Sequence, residues 1–160
     1  MKTNISQKYY EHLSRKAAAC VLPLVIATSG ISSSRVHAAE VVVNVSGITA
    51  PLGQIGCSLF ESPANFPMNN IEARQVWVKA ATKGVSCEFQ QVSAGRYAVS
   101  VGHDVNGNKS VDTNFIGVPT EQWGVSGNIR PTMRAPRFEE AVFTISPNAD
   151  VVTLDIEVAK

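Results

Sequence analysis

Two-residue alternation of apolar and polar side chains runs through most of the chain from Glu40 onward. In "EVVVNVSGI" Val41, Val43 and Val45 fall on one face against Val42 and Asn44, and Gly47 ends the run. "GQIGCSLFES" places Ile55, Cys57 and Leu59 on a common face before the polar, proline-containing loop "SPANFPMNN". "ARQVWVKAA" sets Val76 and Val78 opposite Trp77. After a turn at Lys83–Gly84, "GVSCEFQQV" aligns Val85, Cys87 and Phe89, and "GRYAVSVGHD" alternates Tyr97, Val99 and Val101 with Ala98 and Ser100. "FEEAVFTIS" and "VVTLDIEVA", separated by "PNAD", complete seven expected strands. No long window keeps a helical period. "NNIEARQVW" offers one short turn, with Asn69 or Asn70 as cap and Glu72 in the first turn.

Short strands with turns every ten or so residues predict an all-β domain. The expectation is a single seven-stranded antiparallel two-sheet β-sandwich of the transthyretin or immunoglobulin type. The segment from Gly102 to Phe138 interrupts this rhythm, being long for a connection without strand or helix signals. Its Phe115, Ile116, Val118 and Trp123 argue against disorder.

The residues before the first strand have a different character. Lys2, Lys8, Arg15 and Lys16 precede the apolar run Ala17–Ile31, and Val36, His37 and Ala38 follow as a small-residue cleavage pattern. Residues 1–38 therefore predict a cleaved signal peptide, and residues 39–160 the domain that it exports to the periplasm or beyond. The apolar run is short for a bilayer span and is broken by Pro23; Cys20 sits too near its start to be a lipidation site. Without the leader, nine basic residues face twelve acidic ones, a net charge of −3, which removes any electrostatic reason to bind nucleic acid. No second apolar run is long enough to span a membrane. Cys57 and Cys87 are the cysteines that remain, both on core-facing positions. In an oxidising compartment they predict a single disulfide, with two separately buried thiols as the alternative.

Candidate chemistry concentrates in "HDVNGNKSVDTN". Asp104, Asn106, Asn108, Ser110 and Asp112 occupy alternate positions, which on a curled loop would deliver hard oxygens to Ca2+, Ser110 through its backbone carbonyl. Lys109 stands where an EF-hand loop has glycine, and Phe115 where it has a bidentate glutamate. The competing reading is an Asx-rich turn in which Asn and Asp side chains accept bonds from the following backbone, with Asn106–Gly107 supplying the curl. His103 beside Asp104 lacks a visible nucleophilic partner, and with the leader removed no second histidine remains for a multi-histidine zinc site. Ser126 in "GVSGN" is isolated. Trp123, Arg130 and Arg134 form a candidate ligand loop for a sugar or peptide. The plainer reading has the loop arginines paired with Glu139 and Glu140 and Trp123 plugging one end of the sandwich.

"YAVSVGHDVNGNKSVDTNFIGVPTEQWGVSGN", followed by "RAPRFEEAVFTI", resembles the secreted bacterial domain-of-unknown-function family numbered 2141. That family's pattern reads G-x-Y-A-V, H-D-x-N-G-N, L-D-x-N, G-x-P-x-E and then aromatic-Gly-x-S. The opening "VSGI" and "GQIGCSLFESPANFP" match as well, so the resemblance covers about residues 40–157. The departures are Lys109 for a usual glycine and Val111 for a usual leucine. The resemblance implies an exported β-sandwich and no settled activity. The function expected from the sequence is a non-catalytic binding module for an extracytoplasmic protein or glycan, its loop a candidate for calcium stiffening. A structural envelope-associated domain without a small ligand is the alternative, and a hydrolase the distant third.

Overall fold

The computed structural model describes residues 37–160. The expected leader lies outside the described residues except for its last two, and Ala38 already opens the first strand. Eight strands form two packed sheets: β1 (Ala38–Ser46), β2 (Gln54–Phe60), β3 (Arg74–Lys79), β4 (Val85–Ser93), β5 (Gly95–Asp104), β6 (Trp123–Val125), β7 (Phe143–Ile145) and β8 (Val151–Glu157). One sheet has the order β4-β1-β8 and the other β3-β2-β5-β6, with β7 also pairing to β5. The all-β sandwich expected from the alternation is the fold observed.

The alternation works as read. Val41, Val43 and Val45 are buried while Val42 and Asn44 face outward, and Tyr97, Val99 and Val101 point into the same core from the other sheet. Ile55, Cys57, Leu59, Cys87 and Phe89 complete the layer between the sheets. Cys57 on β2 and Cys87 on β4 are disulfide-bonded with their Cα atoms 6.4 Å apart, so a covalent link joins the two sheets across the core. Past Phe89 a bulge intervenes. Val41 pairs Phe89 but Ala39 pairs Val92, and Gln91 takes φ 56°, so the extra residue returns Val92 to the core face.

β2 and β5 are covered on both faces. Across them Gly56 lies opposite Gly102 and Ser58 opposite Ser100. A Cβ on Gly56 would come within 2.5 Å of the Trp77 ring, so glycine there lets the indole lie flat on the sheet. Farther along, Phe60, Ala98 and Val125 pack with Phe138 and Ala141 in a second apolar cluster.

Four expectations need correction. β6 was not anticipated, because three residues centred on Gly124 carry no period. "FEEAVFTIS" does not form one strand: Phe138–Ala141 is a single helical turn, α1, and only Phe143–Ile145 extends. Glu140 accepts the Arg137 N–H at 2.8 Å, and Phe138 and Ala141, three apart, bury the same side. The sandwich is also not wholly antiparallel, since β8 runs parallel to β1. β7 ends on the sheet of β5, and Ser146–Asp150 carries the chain across to the other sheet rather than back as a hairpin. Finally, Asn69 and Asn70 make a hydrogen-bonded turn and no helix: Asn69 Oδ1 accepts the Ile71 N–H at 3.2 Å, and the Asn70 carbonyl the Ala73 N–H at 3.1 Å. Among the described residues no helix is long and apolar enough to cross a membrane.

Candidate functional site

The segment between β5 and β6 is built around two buried carboxylates. Asp104 closes β5 and is 1% exposed. Its Oδ1 accepts the backbone N–H groups of Gly107 (2.7 Å) and Asn108 (3.1 Å), and its Oδ2 accepts that of Lys109 (2.8 Å). Three successive amides thus wrap one anion, a nest in which the backbone supplies the compensating partial charge. The wrap requires left-handed backbone at two places, and Gly107 takes φ 81° and Lys109 φ 60°. The lysine at the position where a calcium loop has glycine adopts the glycine-like conformation regardless.

Glu121, 8% exposed, clamps the base of the segment from the returning chain. Its Oε1 accepts the Val105 N–H at 2.9 Å and its Oε2 the Asp112 N–H at 3.0 Å. Sequence reasoning gave Glu121 no role; its only signal was the glutamate of the G-x-P-x-E motif. Gln122 beside it ties three elements together. Its Oε1 accepts the Thr49 N–H (3.0 Å) and hydroxyl (2.8 Å), and its Nε2 donates to the Gly47 carbonyl at 2.8 Å. His103, 1% exposed, contacts the same Oε1 through Nδ1 at 3.2 Å and the Leu52 carbonyl through Nε2 at 2.8 Å. It faces neither an acid nor a hydroxyl, and its ring is closed off from solvent.

The remaining members of the expected cation set bond to one another. Asp112 accepts from Asn106 Nδ2 at 2.7 Å and from Asn108 Nδ2 at 2.8 Å. Asn106 Oδ1 accepts the Asn108 N–H at 3.0 Å, and Asn108 Oδ1 the Ser110 N–H at 2.8 Å. The oxygens of Asp104 and Asp112 are each met by N–H donors of the loop, the arrangement of an Asx-rich turn. To offer oxygens to a cation, both carboxamides would have to turn over and release their bonds to the following backbone. Among the described residues no group of three or more His, Cys, Asp or Glu side chains is placed to hold a metal ion.

Beyond Asp112 the chain forms a closed five-residue tip. The Asn114 N–H donates to the Val118 carbonyl and the Gly117 N–H to the Asn114 carbonyl, both at 2.9 Å. Asn114 Oδ1 accepts from Ile116 (3.1 Å) and Val118 (2.9 Å). Of the four apolar residues that spoke against disorder, Trp123 is half-buried against the second apolar cluster, and the other three are not packed. Phe115 is 98% exposed, Ile116 68% and Val118 51%. Order comes from Asn114 and the backbone, and the side chains face water.

The candidate ligand loop is engaged within the fold. Arg130 lies over the Trp123 ring, 5.0 Å from its centroid, and donates to the carbonyls of Trp123 (2.7 Å), Glu157 (2.8 Å) and Ala159 (3.3 Å). Arg134 makes a two-pronged pair with Glu140 at 2.8 and 2.6 Å, which together with the Arg137 N–H holds the Glu140 carboxyl down at about 2. Glu139 pairs with Arg96 on β5. Ser126, 1% exposed, stitches β5 to α1: its Oγ accepts the Val99 N–H at 3.0 Å and donates to the Ala141 carbonyl at 2.5 Å.

These features define a disulfide-linked two-sheet β-sandwich with one long, hydrogen-bonded loop between β5 and β6. Residues 43–153 match the family described as uncharacterized protein conserved in bacteria (DUF2141), and the chain belongs to that family. No curated protein and no solved structure matches the chain.

Proposed function

We propose that the chain is an exported, non-catalytic binding module whose recognition element is the apolar tip Asn114–Val118. One observation carries this reading: a loop pinned by two buried carboxylates holds Phe115 98% exposed and Ile116 68% exposed on a closed hydrogen-bonded frame. Exposed apolar side chains on an ordered frame cost little entropy to bind, and a cluster of them marks an interaction site. The occupant is an extracytoplasmic protein or a glycan with an apolar face. Nucleic acid is disfavoured by the net charge of −3 carried by residues 39–160. Export rests on the leader pattern of residues 1–38 and agrees with the disulfide. In the alternative, a structural envelope domain, the same tip anchors the chain in a larger assembly and takes no small ligand.

A photo-crosslinking residue at position 115, expressed in cells with the leader intact, tests the reading. A discrete adduct at 115, absent when the same residue stands at Lys83 in the β3–β4 turn, supports it. Equal labelling at both positions, or none, sinks it. Calcium enters as a separate arm. A rise in melting temperature at about millimolar calcium, reversed by chelator, shows that the Asp104–Asp112 loop takes the cation. An unmoved melting curve leaves the loop a turn held by its own donors.

A further inference from the structure

We propose that the Asn106–Gly107 step is a modification site: a deamidation centre held shut by the Asp104 nest and released when the loop opens. This chemistry belongs to the loop itself and is independent of what the tip binds. Deamidation of an Asn–Gly step begins when the glycine backbone nitrogen loses its proton and attacks the asparagine Cγ. A new C–N bond forms, Nδ2 leaves as ammonia, and a cyclic imide results. Water then opens the imide at either carbonyl, giving aspartate or isoaspartate. Glycine is the most permissive residue after the asparagine, because no side chain shields the attacking nitrogen.

Here every participating atom is restrained. The Gly107 N–H donates to Asp104 Oδ1 at 2.7 Å, and an anion at that distance opposes loss of the amide proton. Asn106 Oδ1 is held by the Asn108 N–H at 3.0 Å and Nδ2 by Asp112 Oδ2 at 2.7 Å, so the carboxamide is fixed at both ends. Nothing else protects the step. A Cβ built on Gly107 meets no atom within 4 Å, and the Asn106 side chain is exposed, so water reaches both residues. The gate is the loop's hydrogen bonding alone.

The product cannot restore the gate. Converting Asn106 to a carboxylate replaces the donor facing Asp112 by a second negative charge, and like charges in one contact repel unless a proton or cation intervenes. Isoaspartate also adds a main-chain atom between Asp104 and the amides that it binds. Either product loosens the Asp104–Asp112 loop irreversibly, turning a rigid tip into a mobile one.

The test compares deamidation at Asn106, read by peptide mapping and mass spectrometry at mildly alkaline pH, in the folded wild type and in the synthetic peptide His103–Asn114. The folded protein should react slower by about tenfold or more, the protection that a modest local-opening free energy confers. Asp104→Asn, which removes the anion, should bring the rate toward that of the peptide. Should that variant fail to fold, Asp112→Ala frees Nδ2 without touching the buried carboxylate and should also speed the reaction. Asn106→Asp, which presents one product directly, should be cut faster by protease within residues 105–118. Reaction of the folded wild type at the peptide's rate would overturn the gate, as would Asp112→Ala at the wild-type rate. An Asn106→Asp variant as protease-resistant as the wild type would overturn the loosening.

Discussion

Replacing both Cys57 and Cys87 by alanine removes the covalent link between the two sheets, and its cost follows from the chain it closes. The cysteines are 30 residues apart in sequence. Freeing a loop of that length in the unfolded chain destabilises the fold by about 3.6 kcal/mol on the loop-entropy relation. For a domain of this size about 4 °C of melting temperature is lost per kcal/mol, so the variant should melt about 14 °C lower. Both sulfurs are fully buried, so alanine also leaves small voids. Wild-type protein reduced in place keeps the sulfur atoms and isolates the effect of the link. Urea unfolding followed by tryptophan fluorescence reads both stability and m. The unlinked unfolded chain is more expanded, so m should rise as stability falls. A loss below about 1 kcal/mol with m unchanged would refute the reasoning, since the link would then not be restricting the unfolded ensemble.

Asp104→Ala removes an acceptor from three amides and should cost about 3 kcal/mol in urea unfolding, whereas Asp112→Ala, whose donors are exposed carboxamides, should cost about 1 kcal/mol. Lys109→Gly relieves a non-glycine residue at φ 60° and should stabilise the protein by up to about 1 kcal/mol, read as an upward shift of the denaturation midpoint. The Glu140 carboxyl is lowered from 4.5 to about 2 chiefly by its bonds to Arg134, with the Arg137 amide adding to them. Because the folded-state value is depressed, its contribution to stability is present above the ordinary carboxylate range and is lost as pH falls toward about 2. Arg134→Ala should therefore narrow the difference in melting temperature between neutral and acid pH.

Much of the fold was legible because burial on one face writes a period of two into the sequence. Val41, Val43 and Val45 show it plainly, and so do Tyr97, Val99 and Val101. Periodicity does not encode strand direction, so the parallel pairing of β8 with β1 was hidden. β6 is too short to show any period, and α1 read as strand because Ala141, Phe143 and Ile145 do alternate while the four residues Phe138–Ala141 are too few to show a helical period. In the loop, the alternate spacing of Asp104, Asn106, Asn108 and Asp112 correctly marked a curled segment. What the side chains do there was not legible, since a cation loop and an Asx turn draw on the same residues. Glu121 was missed for a related reason: its two partners are backbone amides, which leave no mark in the sequence.

The division of labour within the loop bears on how such a domain can vary. Asp104, Glu121 and Asn114 hold the segment almost entirely through backbone amides, which every residue except proline supplies. Phe115 and Ile116 contribute little to that frame beyond their backbone; the Phe115 side chain, 98% exposed, gives up almost no water contact on folding, and that of Ile116, 68% exposed, gives up a minor share. Substituting them should therefore leave stability nearly unchanged, while any change at Asp104 or Glu121 is felt at once. In the proposed binding role, recognition at the tip and stability at the base would be carried by different residues of one loop. A tip free to change on a fixed base would let one sandwich serve different partners without refolding its core.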